Sequence, residues 1–170
     1  MPGLINIQDD DVMEEVQKVK KLTDEDIKSR SLVMKGLTKY YNKFLAVNQL
    51  YLEVPKRECF GMLGINGAGK TTTFKMMIGD ERISAGDVFL GGHSVKSNKA
   101  EKMMGYCPQF GGVLPQLTGF ETLKIFSLIR GIERSAIAGV VDAFAENLGF
   151  KEHLMKPIAA LSGGNKRKVS

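Results

Sequence analysis

Cysteine is scarce in this 170-residue chain, and the two that occur, Cys59 and Cys107, stand in unrelated apolar contexts without metal-ligand spacing. That argues against a disulfide scaffold and a zinc site, and fits two small buried residues with free thiols in a reducing compartment. Histidine is equally thin: His93 and His153 read as ordinary surface or half-buried residues. No apolar run reaches the roughly 18 residues that a membrane-crossing helix needs. Residues Met1 to Asp11 are acidic where a secretory signal would be basic and then apolar. The segment is therefore expected neither to span a membrane nor to be exported. Concentrated positive charge is missing too. The net charge of +5 is scattered, and only Lys166-Arg167-Lys168 forms a short run, which argues against a nucleic-acid partner. With 43% hydrophobic and 25% charged residues, the chain has the size and composition of one globular domain.

What is present in abundance is glycine, at one place above all. Gly64-Ile65-Asn66-Gly67-Ala68-Gly69-Lys70-Thr71-Thr72 matches the GxxxxGK[ST] phosphate-binding loop in full, after the apolar run Cys59-Phe60-Gly61-Met62-Leu63, expected as a strand, and before a helical pattern. Glycine is needed there because a Cβ would block the backbone from folding around a phosphate chain. The helix beginning near Gly69 adds unpaired N–H groups and the positive end of its dipole. Lys70 supplies a point charge for the β- and γ-phosphates. Thr71 offers a hydroxyl to Mg²⁺, a cation that prefers oxygen ligands, and Thr72 one to an α-phosphate oxygen.

Around this loop the pattern is mixed. Asp9 to Lys21 predicts a short amphipathic helix with acids first and lysines last. Thr23-Asp24-Glu25-Asp26 is a second start signal. Leu32 to Met34, Leu45 to Val54 and Gly86 to Gly92 predict strands of a small antiparallel sheet. After Lys70 a helix should run until Gly79, a usual stop. Met103 to Cys107 is another apolar run, broken at Pro108-Gln109. Thr118-Gly119-Phe120-Glu121 has capping-box spacing and should open a helix. Ser135 to Leu148 predicts a further one, ended by Gly149.

Three features in order around the loop narrow the family: Tyr41 beside Tyr40 upstream, Gln109 downstream, and Leu161-Ser162-Gly163-Gly164-Asn165 after the helical stretch. Each is weak alone. Together they resemble the nucleotide-binding domain of ATP-binding cassette (ABC) proteins, from about Leu32 to Ser170. The strings Glu58 to Met76, Gly105 to Phe110 and Ser162 to Lys168 are similar to the A subfamily, whose members are large two-cassette chains that move lipids or sterols.

The resemblance implies an α/β fold with a P-loop NTPase (RecA-like) core, a small antiparallel β-subdomain and a helical subdomain. It divides the chain into a lead-in over 1–30 and a partial cassette over 31–170. Within the cassette, 31–60 and 83–100 form the β-subdomain, 59–82 and 101–110 the core with the phosphate loop, 113–163 the helical subdomain and 161–170 the signature motif. It implies that Tyr41 stacks on adenine, that Gly64 to Thr72 hold the triphosphate of ATP, and that Gln109 contacts Mg²⁺ or the attacking water. It further implies that Ser162, Gly163, Gly164 and Asn165 cap the γ-phosphate bound by a second cassette in a head-to-tail ATP sandwich. The remaining implied partners are membrane domains of the same parent chain and a lipid substrate, with the cassette on the cytosolic face. The sequence departs from the pattern between Gly111 and Gln116 and at Phe120, in the stretch implied to dock on the membrane part. A soluble, non-transport cassette ATPase shares the phosphate loop and Ser-Gly-Gly but not the Cys-Phe-Gly and Gly-Tyr-Cys-Pro-Gln-Phe strings; a GTPase or small-molecule kinase explains neither Tyr41, Gln109 nor 161–165.

Cassettes complete hydrolysis with an apolar strand ending in Asp, an adjacent Glu and a later His. None of these is present in the 170 residues, so the sequence reads as a truncated cassette with an incomplete core sheet, negligible turnover of its own, and an apolar edge prone to aggregation.

Overall fold

In the computed structural model the described residues are 10–108 and 112–170. They divide into two units, with the boundary between Gly105 and Tyr106.

The first unit begins with two helices whose ends carry the expected signals. Helix α1 (Asp10–Lys21) has Asp10 and Asp11 in its first turn and three lysines in its last, matching the helix dipole. Helix α2 (Asp24–Ser29) starts with a capping box in which Thr23 and Asp26 bond each other's backbone N–H. Strands β1 (Arg30–Tyr41) and β2 (Phe44–Pro55) form an antiparallel hairpin, and its Asn42 takes a left-handed φ of 53°. Strand β3 (Ala85–Leu90) pairs with the other edge of β1, and β4 (His93–Ser94) with β3, giving the order β2-β1-β3-β4.

Successive residues of a strand point to opposite faces, and both faces of β1 are covered. Val33 joins Val19 of α1 and Ile27 of α2 in one buried cluster. Met34, Leu37, Val47 and Val88 join Met76 in another. Met76 belongs to helix α3 (Lys70–Met77), so the lead-in helices and the phosphate-loop helix pack on opposite sides of the sheet. A short helix α4 (Asn98–Glu101) completes this unit.

One carboxylate pins α1 to the sheet. Glu53 of β2 has a side chain only 3% exposed; it accepts from Lys18 Nζ at 2.7 Å and is paired with Arg30 Nε. Its own backbone N–H donates to Glu15 Oε1 at 2.9 Å. Burial alone would raise the Glu53 carboxyl, but hydrogen bonds from Lys18 and Arg30 outweigh it and hold the group below its ordinary value.

The second unit is helical. Helix α5 (Gly119–Ile129) opens with the Thr118–Glu121 capping box expected from sequence, and α6 (Arg134–Asn147) follows. Ile137, Val141 and Ala145, spaced one helical turn apart, face Phe150, Leu154, Ile158 and Leu161 of the two 3₁₀ turns and their flanks. Helix α7 (Gly163–Val169) adds Val169 to that core. Phe120, which departs from the subfamily pattern, packs against the same cluster.

One expected strand is not formed: Cys59 to Leu63 carries none, and neither does the apolar run Met103 to Cys107. A strand exists only where a neighbour takes its N–H and C=O groups, and none of the described strands, ordered β2-β1-β3-β4, pairs with either run. For the same reason Leu63 and Ile65 are 94% and 82% exposed. The two cysteines lie on these segments and are exposed rather than buried, though free as expected.

Glu53→Gln should lower stability by about 1–3 kcal/mol at neutral pH, as expected when hydrogen bonds to a charged acceptor are lost. Because the folded carboxyl is depressed, its contribution is complete above about pH 4.3 and is lost as the pH falls through the folded value. Urea denaturation across that range should show the variant and parent converging in acid.

Candidate functional site

Helix α3 begins at Lys70 because Gly69 precedes it in a left-handed conformation, φ 84°, which glycine adopts without strain. Space forbids a side chain there as well. A Cβ on Gly69 would sit 2.7 Å from the Ala46 carbonyl oxygen and 3.3 Å from Val47 Cγ2. The loop thus ends pressed against β2.

Within the loop, Lys70 Nζ donates to the carbonyls of Gly64 at 2.6 Å and Ile65 at 2.8 Å, and the Ala68 N–H donates to Ile65 O at 3.2 Å. The amides of Lys70, Thr71 and Thr72 have no acceptor among the described residues, as the first turn of any helix dictates. The exposed Thr71 hydroxyl and the half-buried Thr72 hydroxyl are likewise unpaired among them. One ammonium, a row of free amides and two hydroxyls therefore converge on a surface-exposed loop, a donor set suited to phosphate oxygens.

Among the described residues no cluster of three or more His, Cys, Asp or Glu side chains could hold a metal. The exposed Thr71 hydroxyl is an oxygen donor of the kind that Mg²⁺ prefers. A protein cage is not what these residues offer.

Tyr41 lies at the same end of this unit. It pairs with Phe44 across the hairpin, and Phe44 is two residues from Ala46, roughly 7 Å along a strand, where the loop is docked. Tyr41 is 39% exposed, with the ammonium of Lys39 at 4.7 Å from its ring centroid. Lys39 is buried, and pairs with Glu81 at 2.7 Å and the Arg82 carbonyl at 2.9 Å. The hydrogen bond from that ammonium holds the Glu81 carboxyl below its usual range against the opposing effect of burial, with a smaller contribution from the Tyr41 hydroxyl. Sequence reasoning missed Lys39, Glu81 and the exposed Phe44. A register shift between Lys39 and Tyr40 breaks the strand alternation that would otherwise relate Lys39 to Tyr41.

In the second unit Ser162 caps α7, its Oγ accepting from the Asn165 N–H at 3.3 Å, so the helix starts at Gly163. Gly163 and Gly164 are exposed, and a Cβ on either would meet nothing within 4 Å. They border an open cleft of about 610 Å³ that Lys166 and Arg167 also line. Gln109 lies outside the described residues. His93 is exposed and His153 half-buried.

A family model described as ABC transporter matches residues 47–170. The chain belongs to the ABC transporter family. Its sequence is 42% identical over 168 residues to the phospholipid-transporting ATPase ABCA3 of Homo sapiens, covering 96% of this chain and 10% of that protein. It is 40% identical to ATP-binding cassette sub-family A member 17 of Mus musculus, again over 96% of this chain and 10% of the relative, and 40% identical to the phospholipid-transporting ATPase ABCA7 of Homo sapiens, over 98% and 8%. This ABC segment spans about a tenth of the length of those A-subfamily relatives. Among solved structures, the ATP-binding subunit of an ABC transporter superposes with a TM-score of 0.72 at 24% identity, covering 81% of this chain and 58% of that one. CbiO1 from Clostridium perfringens, part of the cbiONQ transporter complex, gives 0.72 at 21% identity, over 83% and 59%. The fold is that of the ABC ATPase, a P-loop NTPase.

Gly69→Ala should be destabilising by more than 1 kcal/mol, since both the left-handed φ and the Ala46 contact oppose a methyl group. Thermal unfolding should show the drop, and Gly163→Ala, which meets no atom, should show none.

Proposed function

We propose that this chain binds Mg·ATP and is the ATP-binding segment of a transporter that moves lipids across a membrane. The observation that carries the first half is the convergence of Lys70, the free amides of residues 70–72 and two hydroxyls on one loop. The second half rests on the names of the relatives, two of which are phospholipid-transporting ATPases.

In this reading Gly64, Ile65, Asn66, Gly67, Ala68 and Gly69 wrap the β-phosphate with main-chain N–H groups. Lys70 exchanges its loop carbonyls for phosphate oxygens, and Thr72 bonds nearer the α-phosphate. Thr71, with Gln109 as a further ligand, would hold Mg²⁺, which would supply neutralisation of phosphate charge. Tyr41 receives the adenine ring on its exposed face.

Ser162, Gly163, Gly164 and Asn165 serve a second nucleotide. Since none of the described residues fills the space a side chain would take at Gly163 or Gly164, their bareness suits an approach from outside. The partner of that surface is a second cassette, with two ATP molecules shared head to tail. The segment works at the cytosolic face, coupled to membrane domains. Among the described residues no helix is long and apolar enough to cross a membrane. Hydrolysis additionally needs the carboxylates noted above, so turnover by these 170 residues alone is negligible.

Titration calorimetry should detect Mg·ATP binding that Lys70→Ala weakens at least about tenfold, the loss expected for charge-assisted hydrogen bonds. Equal affinity in the variant would refute the phosphate-loop reading.

A further inference from the structure

A buried lysine has to satisfy its ammonium, since an unpaired charge away from water is costly. Lys39 does so without using any group of the phosphate loop. Its side chain is 9% exposed and its three contacts are the Glu81 carboxylate, the Arg82 carbonyl and the face of the Tyr41 ring. Two of these belong to the segment that follows α3, whose Glu81 N–H is tied back to Lys75 O at 3.1 Å. The same segment is stitched to β1 a second time, where the Tyr40 N–H donates to Ser84 Oγ at 3.0 Å and the Ser84 N–H to Thr38 O at 3.0 Å.

We propose that Lys39 and Glu81 are positioning residues for the nucleotide base: their ion pair, seated behind Tyr41, fixes which face of the ring receives adenine and ties that ring to the far end of the phosphate-loop helix. The proposal rests on the reading of residues 64–72 and Tyr41 as one nucleotide site. With the cation over one face at 4.7 Å of a ring that is partly exposed, stacking is assigned to the opposite face. The cation also draws ring electrons toward itself and makes the open face less repulsive to the π cloud of a purine. Through Glu81 the ring and α3 share an anchor, so base and triphosphate meet surfaces held at a set separation.

The test compares two probes on the full chain by calorimetry, Mg·ATP and Mg·tripolyphosphate, which lacks base and ribose. Lys39→Met should weaken ATP about three- to tenfold, the scale of one aromatic contact, and leave tripolyphosphate unchanged. Lys39→Arg, which keeps the charge, should restore most of the loss. Lys39→Met combined with Tyr41→Ala should bind ATP no more weakly than Tyr41→Ala alone, because Lys39 acts through the ring. Should Lys39→Met fail to fold, Glu81→Gln, a change at a half-buried carboxylate, should give a smaller loss with the same split between probes. Unchanged ATP affinity in Lys39→Met, a proportional fall with tripolyphosphate, or losses that multiply in the double variant would each overturn the proposal. Tripolyphosphate bound as tightly as ATP, with Tyr41→Ala silent, would overturn it while leaving the phosphate loop standing. If the unmutated chain bound neither probe, the nucleotide reading and this inference would fall together.

Discussion

The contact on which the rest depends is the approach of a loop backbone to a strand backbone. Gly69 lies so near the Ala46 carbonyl that a single methyl group would collide with it. Through that contact the mouth of α3 is seated on β2, and the same strand carries Phe44 opposite Tyr41. The anion-binding turn and the aromatic tip are therefore parts of one body. Met76, one face of α3, completes the seating in the apolar cluster beneath.

The sheet itself is stabilised from both sides, and this explains how a lead-in segment outside the family match becomes structural. Val19 and Ile27 cover one face of β1 while Met76 covers the other. Burying apolar area on both faces is what a small four-stranded sheet needs for independent stability. The charged grip of Lys18 and Arg30 on Glu53 gives α1 a fixed register, because a buried carboxylate with two cationic partners tolerates few other arrangements.

Local signals in the sequence were read well where the interaction is local. Thr23 with Asp26, Thr118 with Glu121, and the glycine after α3 all lie within a few residues of their partners, and each marks a real element boundary. The conformation of the glycine-rich loop is local in part, since Lys70 bonds the Gly64 and Ile65 carbonyls, whereas the seat of Gly69 against Ala46 is not. The apolar run Cys59 to Leu63 was not legible, because strand formation depends on a partner far away in sequence, and apolar character alone does not supply one. Lys39 shows the complementary limit. Its role is set by Glu81, some forty residues away, and a single lysine in a strand announces no such partner.

Gly163 and Gly164 have a consequence of a different kind. They open α7, face solvent, and have open space where side chains would stand. Alanine at a helix start is, if anything, better than glycine for folding. Selection for thermal robustness alone would thus let these two positions drift, whereas selection for whatever must approach that surface would hold them bare. Libraries sorted once for soluble expression and once for capture by whatever binds that surface should separate at this pair, and the separation would mark the boundary between what the chain owes to its own architecture and what it owes to its neighbours.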